Sequence, residues 1–177
     1  MKRFLVILFL TLFISLPSNA EKVLTGGVQY TTDQARGELL KEEIPEPDGL
    51  TILTHIADEN YKENKTALLK ANITLTDRVL ALFSDGSYAV MYHDNPLNVW
   101  YYSEDGILTH IEVKDRAEYP FKAYKYDTEG KLVNMSLRVS KAETFIFNPA
   151  GKLIAHWVRE NGYDENGKVI MKRKYKE

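Results

Sequence analysis

One short unit occurs four times in the C-terminal half of the chain, and this repeat limits the possible folds more than any other feature. Each unit has an aromatic residue, three mostly polar residues, a glycine, one variable residue and an aliphatic residue. The units span 102–108, 126–132, 147–153 and 163–169. A glycine at a fixed place in a repeat is typical of a turn that recurs between equivalent elements.

The unit around Asn148 shows the turn chemistry most directly. Asparagine favours the first position of a type I turn, and the following proline fixes φ at the second. Gly151 then supplies the left-handed conformation that closes a three-residue hairpin loop with a bulge. In this register each hairpin pairs an aromatic with an aliphatic residue, which stabilises cross-strand contact: Tyr102 with Leu108, Tyr126 with Leu132, Phe147 with Leu153, and Tyr163 with Val169.

The segments between these turns alternate in the manner of strands. The change of period begins at Ile73, and two apolar segments, 79–83 and 88–92, are separated by Ser84-Asp85-Gly86-Ser87, which is a hairpin signal. We therefore predict a mainly β fold (α+β at most). Its form is an antiparallel β-meander of consecutive hairpins, with a short N-terminal helix packed against it.

The segment before the sheet carries the helix signals. Thr31 and Gln34 have capping-box spacing, and apolar residues recur at helical intervals up to Ile44. This pattern predicts a helix from Thr32 to Ile44 that covers one face of the sheet. The charged segment Asp58–Lys65 is interpreted as a solvated loop or short helix.

The first residues have the features of an export signal, and they define the domain organisation. Lys2 and Arg3 precede an apolar run, Phe4–Leu16, and small residues precede a predicted cleavage point after Ala20. We predict a signal peptide at 1–20, a mixed helical and loop lead-in at 21–72, and a single domain whose β-hairpin repeat region spans 73–177. The protein is then exported, periplasmic or extracellular, and meets the membrane only through the transient signal. The alternative is an uncleaved membrane anchor.

Two of the repeat units have a tyrosine followed by aspartate. These units, Tyr126-Asp127-Thr128-Glu129-Gly130-Lys131-Leu132 and Tyr163-Asp164-Glu165-Asn166-Gly167-Lys168-Val169, resemble the YD repeats of Rhs-type bacterial surface and toxin-shell proteins. They are also similar to short hairpin repeats of the MORN type. The resemblance covers about residues 100–176. It implies an exported hairpin-sheet architecture and assigns no catalytic residue.

The sequence contains no motif for a catalytic or metal site. There is no cysteine, which excludes disulfides, thiolate-bound zinc and a thiol nucleophile. The four histidines lack metal-ligand spacing; we interpret His110 and His156 as structural residues of strands, with His156 the one most sensitive to substitution. No catalytic residue, cofactor or metal is predicted. The net charge of −2 gives no basic field for a nucleic acid.

Aromatic residues crowd into 100–126, and they are the remaining lead to a binding surface. Trp100, Tyr101 and Tyr124 are the candidate residues for binding an unknown protein or glycan. The alternative is that these rings pack across strands of a half-buried sheet. In the predicted register Tyr101 points away from Trp100 and Tyr124, so it is the better candidate for exposure.

These observations favour an exported, non-enzymatic cell-envelope protein whose hairpin repeats bind a protein or polymer. One alternative is a small envelope hydrolase that uses Asp, Glu and His residues from loops. Another is an immunity-type or chaperone-like partner of a secreted toxin, which only the repeat resemblance suggests.

Overall fold

The structure is a computed structural model that describes residues 30–41 and 43–173. In this part of the chain, ten antiparallel strands form one sheet in which each strand pairs with the next along the chain, so the predicted meander is confirmed. The strands are β1 (Arg78–Leu82), β2 (Tyr88–Tyr92), β3 (Asn98–Tyr102), β4 (Leu108–Lys114), β5 (Phe121–Asp127), β6 (Leu132–Arg138), β7 (Glu143–Phe147), β8 (Leu153–Val158), β9 (Asn161–Tyr163) and β10 (Val169–Lys172).

The hairpin tips have the predicted conformation. The four repeat glycines adopt φ between 75° and 80°, and Gly86 in the β1–β2 turn adopts 85°. The amide of Asn148 donates to the carbonyl of Lys152 at 2.9 Å, as the three-residue loop requires. All four predicted pairs are present, Tyr102–Leu108, Tyr126–Leu132, Phe147–Leu153 and Tyr163–Val169.

Three helices precede the sheet: α1 (Thr32–Leu40), α2 (Gly49–Thr54) and α3 (Tyr61–Leu69). The capping box at the start of α1 is present in both directions, because Thr31 and Gln34 exchange backbone–side-chain hydrogen bonds. The helix ends four residues before the predicted end at Ile44. Ile44 precedes Pro45, and the proline ring disfavours helical backbone at the residue before it.

The segment at 73–76, predicted as the start of the sheet, forms no strand. Thr74 makes a single isolated bridge with Val79, and the first strand begins at Arg78. The amide of Leu80 donates to the Ile73 carbonyl, so this segment turns back on β1 instead of extending the meander.

The core lies between the helices and one face of the sheet. Helix α1 lies over β6 and β7, and α3 lies over β1. Ala35 and Leu39 of α1 are fully buried. Alternate residues of the strands supply the other side of this core: Leu80, Tyr88, Val90, Trp100, Tyr102, Ile111, Tyr124, Met135 and Phe147.

A buried polar network joins α3 to the first two strands. Asp58 accepts hydrogen bonds from the Tyr88 hydroxyl at 2.5 Å and from the Asn64 amide at 2.9 Å. The Arg78 guanidinium donates to the Asn64 side-chain oxygen at 2.7 Å and to Glu63 at 2.7 Å. The interpretation of Asp58–Lys65 as solvated is therefore wrong for Asp58 and Asn64, which are buried. That interpretation is based only on the charged and polar character of the segment.

Candidate functional site: a groove on the sheet face opposite the helices

The sheet face opposite the helices is curved. Residues from β1, β2 and β3 share one groove of about 390 Å³ with residues from β6, β7 and β8. We call this feature the groove. Its lining consists of Val79, Leu80, Ala81, Phe83, Ala89, Met91, Val99, Tyr101, Glu112, Arg138, Thr144, Ile146, Trp157 and Arg173.

A second depression adjoins the groove at the tips of the first hairpins. This hairpin cleft has a volume of about 630 Å³ and shares Tyr101 with the groove. Asp85, Glu104, His110 and Lys125 contribute its charged and titratable side chains. The two depressions therefore adjoin on the same side of the sheet, with Phe83 and Tyr101 common to both.

Strand alternation places these side chains on one face. Tyr101 pairs with Ala89 and His110, while Glu112 pairs with Val99 and Lys125. Because successive side chains of a strand point to opposite faces, these residues all avoid the helix side.

Small residues make room at the centre of this face. Ala123 of β5 pairs with Ser136 of β6, and both are buried. Arg138 of β6 reaches Glu112 of β4 across the intervening strand, past Ala123. A large side chain at position 123 would obstruct this path.

Glu112 is the electrostatic centre of the groove. Its carboxylate is buried and accepts two hydrogen bonds from Nη2 of Arg138, at 2.8 and 2.6 Å, and a third from the Tyr101 hydroxyl at 3.2 Å. Burial and the charge of Glu112 raise the pKa of the Tyr101 phenol. Burial lowers the pKa of Arg138, but the neighbouring Glu112 charge outweighs it and the net pKa is raised. Tyr101 therefore stays protonated and Arg138 stays charged.

Two lysines flank this centre. Nζ of Lys125 lies 4.0 Å from the centroid of the Tyr101 ring, in a cation–π contact. Nζ of Lys114 lies 3.3 Å from Sδ of Met91, a groove residue, and 5.5 Å from the centroid of the Phe121 ring. Burial lowers the pKa of both lysines, and the charge of Glu112 opposes that shift.

The two large aromatic rings of the groove, Tyr101 and Trp157, already contact neighbouring residues of the protein. Tyr101 stacks with Phe83 at a centroid distance of 5.9 Å in addition to its contact with Lys125. The guanidinium of Arg173 lies 4.9 Å from the ring of Trp157, and the backbone of Gly162 packs so closely that a Cβ there would lie 3.2 Å from that ring.

The structure corrects the predicted binding surface. Trp100 and Tyr124 are each only 2% exposed and lie under the helices. Trp100 stacks on the His55 ring at 4.5 Å, and the Tyr124 hydroxyl donates to the Leu39 carbonyl at 3.5 Å. Their alternation with Tyr101 puts them on the core face, so of the three candidates only Tyr101 reaches the groove.

Sequence analysis missed most of the groove. Glu112, Lys125, Arg138 and Trp157 were not candidates, although they share a face with Tyr101. The predicted pairs could not supply this face: a register shift directly after Tyr102–Leu108 places Glu112 opposite Val99, where simple extension of the pair would place it opposite Asn98. The curvature that brings β8 to the same groove has no counterpart in the sequence.

The hairpin cleft brings two carboxylates and a histidine to one depression, which is the arrangement that a hydrolase needs. Asp85 is committed to its turn, because it accepts the Ser87 hydroxyl at 2.6 Å and the Ser87 amide at 3.1 Å. These bonds lower its pKa, so Asp85 is ionised and is a poor proton donor. Burial, together with the charge of Lys125, lowers the pKa of His110.

The buried histidine, His156, lies outside the groove. His156 stacks on Phe145 at 3.8 Å on the core face, and its Nε2 lies 2.9 Å from a Glu143 oxygen. Within residues 30–41 and 43–173 no cluster of histidine and acidic side chains could hold a metal ion.

Comparison with known proteins gives no family for this chain: no family model matches it, and neither does any curated protein. The resemblance to YD and MORN-type repeats therefore stays a prediction. None of the described helices is long and apolar enough to cross a membrane. The predicted signal peptide at 1–20 lies outside the described residues.

Proposed function

We propose that this protein is an exported, non-enzymatic module of the cell envelope that binds a protein or polymer in the groove. The observation that supports this most directly is the curved sheet face itself. Helices α1, α2 and α3 contribute to the core on one face, while the other face forms a groove whose polar centre is organised by Glu112 and Arg138. Export is proposed from the signal-like sequence at 1–20.

The contacts in the groove favour binding over catalysis. Glu112 accepts hydrogen bonds from Arg138 and Tyr101 on both of its carboxylate oxygens. A general acid or base must lie within hydrogen-bond reach of the proton that it transfers, and a carboxyl group already engaged on both oxygens is poorly placed for that role. In the hairpin cleft, Asp85 is committed in the same way to Ser87.

Photocrosslinking from inside the groove tests this function in intact cells. The protein carries p-benzoylphenylalanine in place of Met91, which lines the groove. The matched control carries it in place of Leu69, an exposed residue of α3 on the helix side. We expect discrete crosslinked products in the envelope fraction from position 91, and none of the same products from position 69.

Identical products from both positions, or no product from position 91, contradict a groove-based function. A urea melt of each variant confirms that it is folded. An amide- or ester-cleaving activity of the purified protein that is abolished by His110→Ala would instead support the hydrolase alternative.

A further inference from the structure

Lys114 is a buried cation whose ammonium group meets a weak hydrogen-bond acceptor. The residue is 9% exposed, and its Nζ donates to Sδ of Met91 at 3.3 Å. A thioether sulfur accepts hydrogen bonds only weakly. Among the described residues no carboxylate lies at ion-pair distance from Lys114, and the charges of Glu112 and Arg138 act on it in opposite directions. The ammonium group is therefore shielded from water without gaining a strong acceptor.

Met91 presents this sulfur at the wall of the groove. Its side chain is half-buried and lines the groove of about 390 Å³, so a molecule as small as a peroxide can reach it. Two other methionines lie in the described part of the chain: Met135 is fully buried in the core, and Met171 is 40% exposed on β10. Within residues 30–41 and 43–173 neither of these two sulfurs receives a hydrogen bond. Of the three methionines, Met91 therefore combines access to its sulfur with a cation beside it.

Oxidation of this sulfur would give Lys114 the acceptor that it lacks. Methionine sulfoxide carries a polar oxygen, and in apolar surroundings that oxygen disrupts packing because no donor meets it. Beside Lys114 a donor is already in place, with its nitrogen 3.3 Å from the sulfur. A hydrogen bond from a charged donor is roughly twice as strong as one between neutral groups. The oxidised side chain is therefore stabilised at this position, whereas it would be destabilising elsewhere in the sheet.

We propose that Met91 is a reversible oxidation site for small peroxides, and that Lys114 stabilises its sulfoxide by donating a hydrogen bond to the new oxygen. With hydrogen peroxide, the sulfur lone pair forms an S–O bond to one peroxide oxygen as the O–O bond breaks. The sulfur loses two electrons, and the departing hydroxide becomes water by taking the proton of the transferred oxygen. Sulfoxide reductases return methionine sulfoxide to the thioether. Because Met91 lines the groove, the modification makes part of an aliphatic wall polar.

Unfolding of the oxidised protein measures the contribution of Lys114. The purified protein carries Met171→Leu, so that the exposed methionine of β10 does not react, and hydrogen peroxide is the oxidant. Peptide mapping by mass spectrometry locates the added oxygen. We expect oxidation at Met91 to leave the urea midpoint unchanged or raised. With Lys114→Leu, which removes the donor, the same oxidation should raise the equilibrium constant for unfolding by about tenfold or more, as expected for loss of a hydrogen bond from a charged group.

Two matched variants separate the hydrogen bond from general effects of charge and packing. Lys114→Arg keeps a charged donor at this position and should restore tolerance of Met91 oxidation. In a protein that carries Met91→Leu, oxidation of Met171 should have the same effect with and without Lys114→Leu. If Lys114→Leu does not fold, the comparison of reduced and oxidised protein that keeps Lys114 still decides the question.

A lower urea midpoint after oxidation of Met91 in the protein that keeps Lys114 overturns the inference, as does an equal effect of oxidation with and without Lys114→Leu. Absence of the oxygen at Met91 under conditions that fully oxidise Met171 also overturns it, because the sulfur would then be inaccessible. In cells exposed to hydrogen peroxide, the protein should acquire the oxygen at Met91. With protein synthesis blocked, the oxidised fraction should fall after the peroxide is removed. A fraction that stays constant, or no oxidation at Met91 in cells, contradicts a reversible site.

Discussion

Glycines in the left-handed conformation close the hairpins, but the space around each glycine differs. Gly106 and Gly130 have nearly the same φ, 78° and 80°. A Cβ on Gly130 would have its nearest neighbour at 3.9 Å, in Pro47, whereas a Cβ on Gly106 would lie 2.5 Å from the Tyr61 ring. Gly106 is therefore constrained both by its backbone conformation and by a helix packed on its turn.

Gly106→Ala should destabilise the protein more than Gly130→Ala. The left-handed backbone costs alanine about 1–2 kcal/mol at either position. At position 106 the displaced Tyr61 ring adds about 1–3 kcal/mol of overpacking. Urea melts measure the difference directly, with Gly37→Ala in α1 as a control that meets no atom within 4 Å. Equal losses at positions 106 and 130 would contradict the packing of Tyr61 on this turn.

Gly130→Val and Gly151→Val should each lower the free energy of unfolding by about 1–3 kcal/mol. The reason is that a β-branched residue is strained at positive φ. The positions adopt φ of 80° and 76°. An unchanged urea midpoint for either variant would show that its turn does not need the left-handed conformation.

His156→Ala should be strongly destabilising, by about 3–5 kcal/mol, because it leaves the Glu143 carboxylate buried without its partner. Glu143 is 2% exposed, and even in the unaltered protein its Oε2 is buried without a hydrogen-bond partner. His93→Ala is the control at an exposed histidine, and should change stability by less than about 0.5 kcal/mol. Replacement of both partners by leucine should recover much of the loss, since replacing both members of a buried hydrogen-bonded pair by apolar groups can be nearly neutral. If His156→Ala matches His93→Ala in thermal melts, the buried pair contributes nothing.

The helices and hairpins that are specified by residues close together in the sequence could be predicted from it. The aromatic–aliphatic pairs follow from turn chemistry within each seven-residue unit, and the start of α1 follows from Thr31 and Gln34. A short helix at Asp58–Lys65 is one of the two predicted alternatives, and α3 begins at Tyr61. The burial of Asp58 just before this helix could not be predicted, because its partner Tyr88 lies 30 positions away in the sequence. A charged segment has the same local sequence pattern whether it is solvated or, as here, accepts a hydrogen bond from a distant tyrosine hydroxyl.

Asp58→Ala tests whether the polar network holds α3 to the sheet. It leaves the buried Tyr88 hydroxyl without an acceptor, which should cost about 1–3 kcal/mol. Glu59→Ala, at the adjacent exposed position, should have little effect. In a double-mutant cycle with Tyr88→Phe, the two losses should be less than additive because both remove the same bond. Additive losses would show that the Asp58–Tyr88 bond carries no coupling energy.

At the scale of the whole molecule, the groove depends on sheet curvature, which no local pattern encodes. Alternation places Tyr101, Glu112 and Lys125 on one face. It does not indicate that Trp157, five strands after Tyr101, lines the same groove as Val79 of the first strand. That β1 and β8 share one groove follows from the twist that accumulates between successive strands of the sheet. The sequence therefore supported a sheet with two faces and left the groove to be found in the structure.

The predicted cleavage of the signal peptide at residues 1–20 can be tested directly. The apolar run Phe4–Leu16 has 13 residues. As a helix it is about 20 Å long, which is short of the ~30 Å hydrocarbon core of a bilayer. We therefore expect cleavage after Ala20, so that the protein in the envelope fraction begins at Glu21, as intact-mass measurement will show. Ala20→Tyr places a large side chain where the peptidase requires a small one, and should retain the full-length mass. Recovery of the unaltered protein at full length in the membrane fraction would favour the anchor, and the groove would then belong to a membrane-tethered module.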